Sequence, residues 1–194
     1  MASYITERER LNNPVCKSGP TDTVQSLKWA PSSHNLLCAA GWDCKASIWQ
    51  ISDDQQNSLK SQVTLPEPVL SVSWKPDLSS VALGCCDSQV KLWDLESSQV
   101  LQIGQHSAPV REVFWCEQLG MTISGSWDGT VAFWDNRQQQ PSRLIEVPGR
   151  VLGMSLSYPV LVAILSDKQY AVWNLEEVKN GKTQPFLGLS LIHI

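Results

Sequence analysis

No stretch of this sequence approaches the roughly 20 consecutive apolar residues that a membrane-spanning helix needs. Residues 1–15, MASYITERERLNNPV, carry charges where a secretory leader would carry its apolar centre. Neither membrane insertion nor secretion is expected, and a nuclear or cytoplasmic address is. Cysteine is present but unpatterned. Cys16, Cys38, Cys44, Cys85, Cys86 and Cys116 form no C-x-x-C pair, and His34, His106 and His193 stand at no ligand spacing. The expectation is no metal site, and reduced thiols packed as small apolar side chains. A Gly-rich phosphate loop and a paired-carboxylate constellation are also missing, so no cofactor, no small-molecule substrate and no enzymatic activity are expected. Positive charge is in deficit, 15 Lys and Arg against 19 Asp and Glu for a net charge of −4, which argues against a strongly basic face that grips nucleic acid. Lys28, Lys45, Lys75, Lys91, Arg111 and Lys168 are scattered and read mostly as solvated charges.

Phenylalanine is scarce as well, with three against nine tryptophans, and the tryptophans are placed periodically. In AAGWDCKASIWQI, LGCCDSQVKLWDL, SGSWDGTVAFWDN and AILSDKQYAVWNL an aspartate is followed six residues later by a tryptophan, giving Asp43/Trp49, Asp87/Trp93, Asp128/Trp134 and Asp167/Trp173. Successive aspartates stand 44, 41 and 39 residues apart, inside or next to the roughly 40–45 residues of one WD blade and short of the roughly 50 of a kelch blade. Trp29, Trp74 and Trp115 repeat in step, and Leu156 takes the same place in the fourth unit.

Within each unit, short runs rich in Val, Ile, Ala and Trp alternate with Gly, Pro, Ser and Asp turns, as in VQSLKW, LLCAA and KASIWQI of the first. These runs are apolar on both faces, as strands of a sheet sandwiched between two others must be. The fold class expected is all-β, a WD-repeat β-propeller with four consecutive blades at about 21–52, 58–96, 99–137 and 142–176. A polar arm would occupy 1–20. A truncated connection would occupy 179–194, ending in a non-native tail at 189–194, since LSLIHI resembles a translated adaptor end. Four blades leave two flanks uncovered, so the chain alone is expected to be aggregation-prone or loosely packed.

The repeated residues point to structure before chemistry. The aspartate falls in the turn between second and third strands, where its carboxylate can accept from turn amides and from a histidine, while the tryptophan indole closes the network through a Ser or Thr hydroxyl. The third unit holds a full set in His106, Ser124 (or Ser126), Asp128 and Trp134. The other units keep the Asp and Trp of that network without the histidine, so Asp87→Ala is expected to cost less than Asp128→Ala. A Ser/His/Asp catalytic reading of the same residues is outweighed by the repeat, which already explains their positions. The residue preceding each turn aspartate is Trp42, Cys86, Trp127 and Ser166. The blade does not require an indole there, so Trp42 and Trp127 are the candidates for a partner-binding rim.

Two stretches go beyond the generic repeat, DLESSQVLQIGQHSAPVREVFW at 94–115 and TISGSWDGTVAFWDNR at 122–137. They resemble the third blade of the Rae/Gle family of messenger-RNA export factors, and Ser157 to Val160 resembles that family's next blade. The resemblance, over roughly residues 12–178, implies a seven-bladed ring at the nuclear pore, also present in the cytoplasm. It implies docking on the GLEBS hairpin of a nucleoporin and support for nuclear export of mRNA carried as ribonucleoprotein. The family's Glu-Gly-Arg motif, which meets a hairpin glutamate, has no counterpart in these 194 residues. The rival reading is a Bub-type spindle-checkpoint propeller, which shares the APV and GSWD segments and would bind kinetochore-kinase GLEBS segments.

Overall fold

The computed structural model describes residues 19–31, 35–52, 57–138 and 140–189. The arm at 1–18 and residues 190–194 of the expected tail lie outside the described residues. The described chain forms four antiparallel sheets of four strands each. The first contains β1 (Val24–Trp29), β2 (Leu36–Gly41), β3 (Lys45–Gln50) and β4 (Ser58–Thr64). The second contains β5 (Val69–Trp74), β6 (Ser80–Cys85), β7 (Gln89–Asp94) and β8 (Val100–Gln105). The third contains β9 (Val110–Cys116), β10 (Met121–Ser126), β11 (Thr130–Trp134) and β12 (Arg143–Glu146). The fourth contains β13 (Val151–Ser157), β14 (Val160–Leu165), β15 (Gln169–Asn174) and β16 (Phe186–Leu189), with a one-turn helix, α1 (Leu175–Lys179), before its last strand. The molecule is an all-β WD-repeat propeller arc of four blades.

The sheets are offset from the sequence units. β4, β8 and β12 open the stretches at 58, 99 and 142, yet each completes, beside its third strand, the sheet built by the preceding unit. Each unit is thereby tied to its neighbour by a full antiparallel ladder as well as by side-chain packing. A pattern search keyed on the Asp and Trp positions cannot see this, because the outer strand carries neither.

Neighbouring sheets bury their facing sides against each other, and three apolar clusters fill the three boundaries. Between the first two sheets lie Cys38, Ala46, Ile48, Val72, Trp74, Leu83 and Trp93. Val90, Ile103, Val113, Ala132 and Trp134 fill the second boundary, and Ile123, Phe133, Leu161, Ala171, Trp173 and Leu175 the third. Burial follows position in the arc. β6 is buried along its whole length, β14 alternates between buried and exposed, and β1 is almost wholly exposed. Trp29 shares the repeat position of Trp74, but is 54% exposed against 6%, since among the described residues no sheet stands on its outer side. Cys38, Cys85 and Cys116 are free and buried in these layers, and desolvation pushes the thiols of Cys38 and Cys85 up to about 12.

Backbones approach closely where β1 meets the turn end of β2. A Cβ on Gly41 would stand 2.1 Å from the Thr23 carbonyl oxygen and 2.9 Å from the Val24 Cα, both backbone atoms that no rotamer change can move. Gly41→Ala is therefore expected to lower stability by about 1–3 kcal/mol, read as a shift in the urea unfolding midpoint.

Candidate functional site

Two groups of side chains organise the arc, a buried polar network at the second boundary and a row of turns along one rim. His106 follows β8, its backbone N–H held by the Ser88 carbonyl at 2.9 Å, and its ring reaches from the second sheet into the third. His106 Nε2 lies 2.7 Å from Ser124 Oγ, and the Trp134 indole N–H donates to the same oxygen at 2.6 Å. His106 Nδ1 lies 3.1 Å from Asp128 Oδ2. One assignment leaves no atom unpaired: the indole donates to Ser124, the Ser124 hydroxyl donates to Nε2, and Nδ1–H donates to Asp128. The imidazole is then neutral. Asp128 also accepts from the Thr130 hydroxyl at 2.6 Å, the Thr130 N–H at 2.9 Å and the Ser107 N–H at 2.9 Å. Ser126 has a different task, accepting from the Asp128 N–H at 3.1 Å and donating to the Ala108 carbonyl at 2.9 Å.

Charge follows from these contacts. Desolvation holds the His106 pKa below its ordinary value, against the opposing pull of the Asp128 carboxylate. Burial by itself would raise the Asp128 carboxyl, but the hydrogen bonds from Thr130, Ser107 and His106 outweigh it and hold it below the usual range. The sequence of contacts from serine to histidine to aspartate resembles nucleophile activation. Ser124 is fully buried with the Trp134 indole on its oxygen, so no substrate atom can reach it and the chain of bonds acts as a clamp between sheets.

The other blades do not repeat this network, which corrects the expectation that each Asp/Trp pair is joined through a hydroxyl. The residue four before the turn aspartate is Ala39, Leu83, Ser124 and Ala163 in the four units, so only Trp134 finds a hydroxyl there. That substitution pattern was the available sequence signal. In the first blade no bond among the described residues links Asp43 to Trp49. Trp49 is buried to 2% exposure and is held on β3 opposite Leu37 and Leu59 by the strand register, while Asp43 accepts from the Thr21 and Lys45 N–H groups, each at 3.2 Å. Trp49 is thus a packing residue, because Ala39 leaves no hydroxyl to relay a bond to the turn. In the second blade Asp87 caps the Gln89 N–H at 3.0 Å, and the buried Trp93 Nε1 has no partner among the described residues. In the fourth, Trp173 donates instead to the Thr183 carbonyl at 3.2 Å. Asp167 departs from the common turn, since it and Lys168 both adopt positive φ, 67° and 60°, whereas blades one to three place only the following residue, Cys44, Ser88 or Gly129, there.

Lys91 is an exception to the reading of mostly solvated charge. It is buried within the second sheet and forms a short ion pair with Asp87, standing in for the missing histidine. Asp87→Ala would strand that ammonium, so the smaller cost expected from the sequence does not follow.

The rim is regular. The backbone N–H of Trp42, Cys86, Trp127 and Ser166 donates to Thr23, Pro68, Pro109 and Arg150 carbonyls at 2.9, 2.9, 3.1 and 2.9 Å, placing these residues at one level around the arc. Trp42 is 45% exposed, with its indole donating to Gln25 Oε1 at 3.3 Å. Trp127 is half-buried. Among the described residues no group of three or more His, Cys, Asp and Glu converges to hold a metal, and no helix is long and apolar enough to cross a membrane.

A stack of four-stranded sheets with the aspartate in the turn between the second and third strands and the tryptophan on the third defines a WD-repeat protein. The chain belongs to the family described as WD domain, G-beta repeat, whose model matches residues 13–50, 58–94 and 97–135. Among its relatives, it is 35% identical to Protein Rae1 of Drosophila melanogaster over 86% of this chain and 49% of that protein. It is 33% identical to mRNA export factor rae-1 of Caenorhabditis elegans over 85% and 45%, and 34% identical to mRNA export factor GLE2 of Chaetomium thermophilum over 89% and 50%. The chain thus spans about half the length of the curated relatives it matches.

Removing the Asp128 carboxylate (Asp128→Ala) is expected to cost about 1–3 kcal/mol, the penalty for leaving its donors unpaired. Asp87→Ala should cost at least as much, and Asp87→Ala combined with Lys91→Met should recover most of that loss in urea unfolding, because no unpaired buried charge remains. The pH dependence has a defined sign. The folded pKa of His106 lies below the unfolded 6.5, so the unfolded chain binds the proton first on acidification. Stability is full above about 6.5 and declines below it towards the folded pKa, a decline that His106→Asn should remove.

Proposed function

We propose that the protein is an mRNA-export docking factor, binding the GLEBS hairpin of a nucleoporin at the nuclear pore across the rim that carries Trp42 and Trp127. The observation that carries this reading is the similarity, at 33–34% identity over more than four-fifths of the chain, to proteins named as mRNA export factors. Support also comes from the rim. Two indoles stand at a turn position where the other blades carry Cys86 and Ser166, and Trp42 exposes 45% of its surface, an arrangement that suits an aromatic anchor for a peptide laid across rigid turns. Neither indole belongs to the buried clusters between the sheets, so binding and folding are expected to be separable. On this reading the protein works in the nucleus, at the pore and in passage to the cytoplasm, and meets mRNA as ribonucleoprotein through its partners. Its net charge of −4 fits that indirect contact.

A GLEBS peptide titrated calorimetrically into the protein tests the reading. Trp42→Ala and Trp127→Ala should each weaken binding by about 1–4 kcal/mol while moving the melting point little. Trp134→Ala should do the reverse, lowering the melting point through loss of the Ser124 contact. Wild-type affinity in both rim variants would remove the rim from the interface, and absence of binding by the unaltered protein would remove the docking role.

A further inference from the structure

The connection from third to fourth strand is long in the fourth blade, residues 175–185, and short in the second, residues 95–99. Both begin alike. The Leu175 N–H donates to the Pro159 carbonyl at 2.7 Å and the Leu95 N–H to the Ser79 carbonyl at 3.0 Å, each in the turn between the first two strands of its own sheet. Beyond that point they diverge. In the fourth blade the chain forms α1, whose Leu175 and Val178, one helical turn apart, are 0% and 2% exposed in the cluster that holds Ile123 and Phe133 of the third sheet. Arg143 of β12 meets the end of the helix, its guanidinium donating to the Lys179 carbonyl at 2.9 Å. α1 thus seals the third boundary at the strand ends opposite the aspartate turns.

In the second blade no helix follows Leu95, which stays half-buried, and the matching place at the first boundary is an open cleft of about 410 Å³. Leu36 and Ile48 of the first blade and Trp74, Leu78 and Leu95 of the second give it mostly apolar walls, with the exposed Lys60 at its edge. Lys60 stands where the third blade has Arg143. Arg143 pairs with Phe133, the residue before Trp134, and Lys60 is the extra residue at a register shift between Ser61, opposite Ile48, and Leu59, opposite Trp49. Leu95 takes the place of Leu175, so what the first boundary lacks is the remainder of α1, Val178 and the turn that carries it. Both walls belong to adjoining blades within the described chain, and the cleft owes nothing to a further blade.

We propose that this cleft docks a short amphipathic helical segment of a partner protein, carrying two aliphatic side chains three residues apart and turning its C-terminal carbonyls to Lys60. The occupant follows from the boundary that the chain fills for itself. The leading aliphatic residue packs on Leu95, the second enters the place that Val178 takes beside the third sheet, and Lys60 meets the partial negative charge of the helix end as Arg143 meets Lys179. Anchors at this spacing are how an amphipathic helix engages an apolar groove, and the volume lies within the roughly 300–1,000 Å³ of ligand clefts. The cleft opens at the start of β2, whereas Trp42 follows the end of that strand, so this surface is separate from the rim.

The probe is a fluorescein-labelled synthetic peptide of residues 174–182, held helical by a bridge between positions 176 and 180, both exposed in α1. Fluorescence anisotropy with the full chain should show saturable binding. Leu175→Asp with Val178→Asp in the peptide should abolish it. In the protein, Lys60→Glu and Leu78→Asp should each weaken binding by at least about tenfold in dissociation constant, while Lys60→Arg retains it and Lys168→Glu, an equal charge change at a distant turn, leaves it unaltered. Circular dichroism checks folding, and Leu78→Gln serves if Leu78→Asp unfolds. Absence of saturable binding by the unaltered chain overturns the proposal. So does equal binding of the doubly substituted peptide. Full affinity in Lys60→Glu overturns it as well, since it would indicate exchange of the peptide with α1 at the third boundary.

Discussion

The constraint on which the structure depends is burial of both faces of every sheet. A four-stranded sheet with apolar residues on each side cannot be stable in water alone, and stacking removes both faces from solvent. The gradient of burial from β6 through β14 to β1 records how far that requirement is met along the arc. Inner strands contribute more than apolar area: serine hydroxyls on β1 and β5 accept N–H groups of the next inner strand, so edge amides that would otherwise face a dry boundary are paired. The outer strands tie each repeat covalently and by hydrogen bonds to the sheet before it.

Within this frame the polar network of the third blade acts as a fastener between sheets. His106 belongs by its backbone to the end of the second sheet, while Ser124, Asp128 and Trp134 belong to the third. Its proton pattern is satisfied with a neutral imidazole, which burial favours. The second blade reaches a comparable balance with the Lys91–Asp87 pair, and among the described residues its Trp93 indole has no partner, since Leu83 stands where the third blade has Ser124. The first dispenses with the relay and simply packs Trp49. A buried ion pair of the Lys91–Asp87 kind contributes little net stability, though breaking one half is costly. Blade identity is therefore kept in shape while its polar interior varies, which leaves the rim free to carry different residues on equivalent turns.

That separation between scaffold and rim is what makes the functional reading physically reasonable. Trp42, Cys86, Trp127 and Ser166 share one backbone hydrogen bond and differ in side chain, so the turns can vary in what they present without losing that bond. The same logic distinguishes Trp29 from Trp42: both expose an indole, but one lies on a sheet flank built for another sheet and the other on a turn above the fold.

The spacing of aspartate and tryptophan was enough by itself to establish the repeat, the strand class, the turn position of each aspartate and the place of His106, Asp128 and Trp134 in the third unit, because those features are local and recur at fixed offsets. Which strands share a sheet, the choice of Ser124 over Ser126, the separation of Trp49 from Asp43, the pairing of Lys91 with Asp87, and the departure of Asp167 from the common turn were decided only by tertiary structure. Each depends on partners many residues apart or on backbone torsions that residue type does not specify: a lysine on a strand reads as solvated until the neighbouring sheet closes over it. The exposure of Trp29 has the same origin, since its burial is a property of the sheet beside it and not of its own strand.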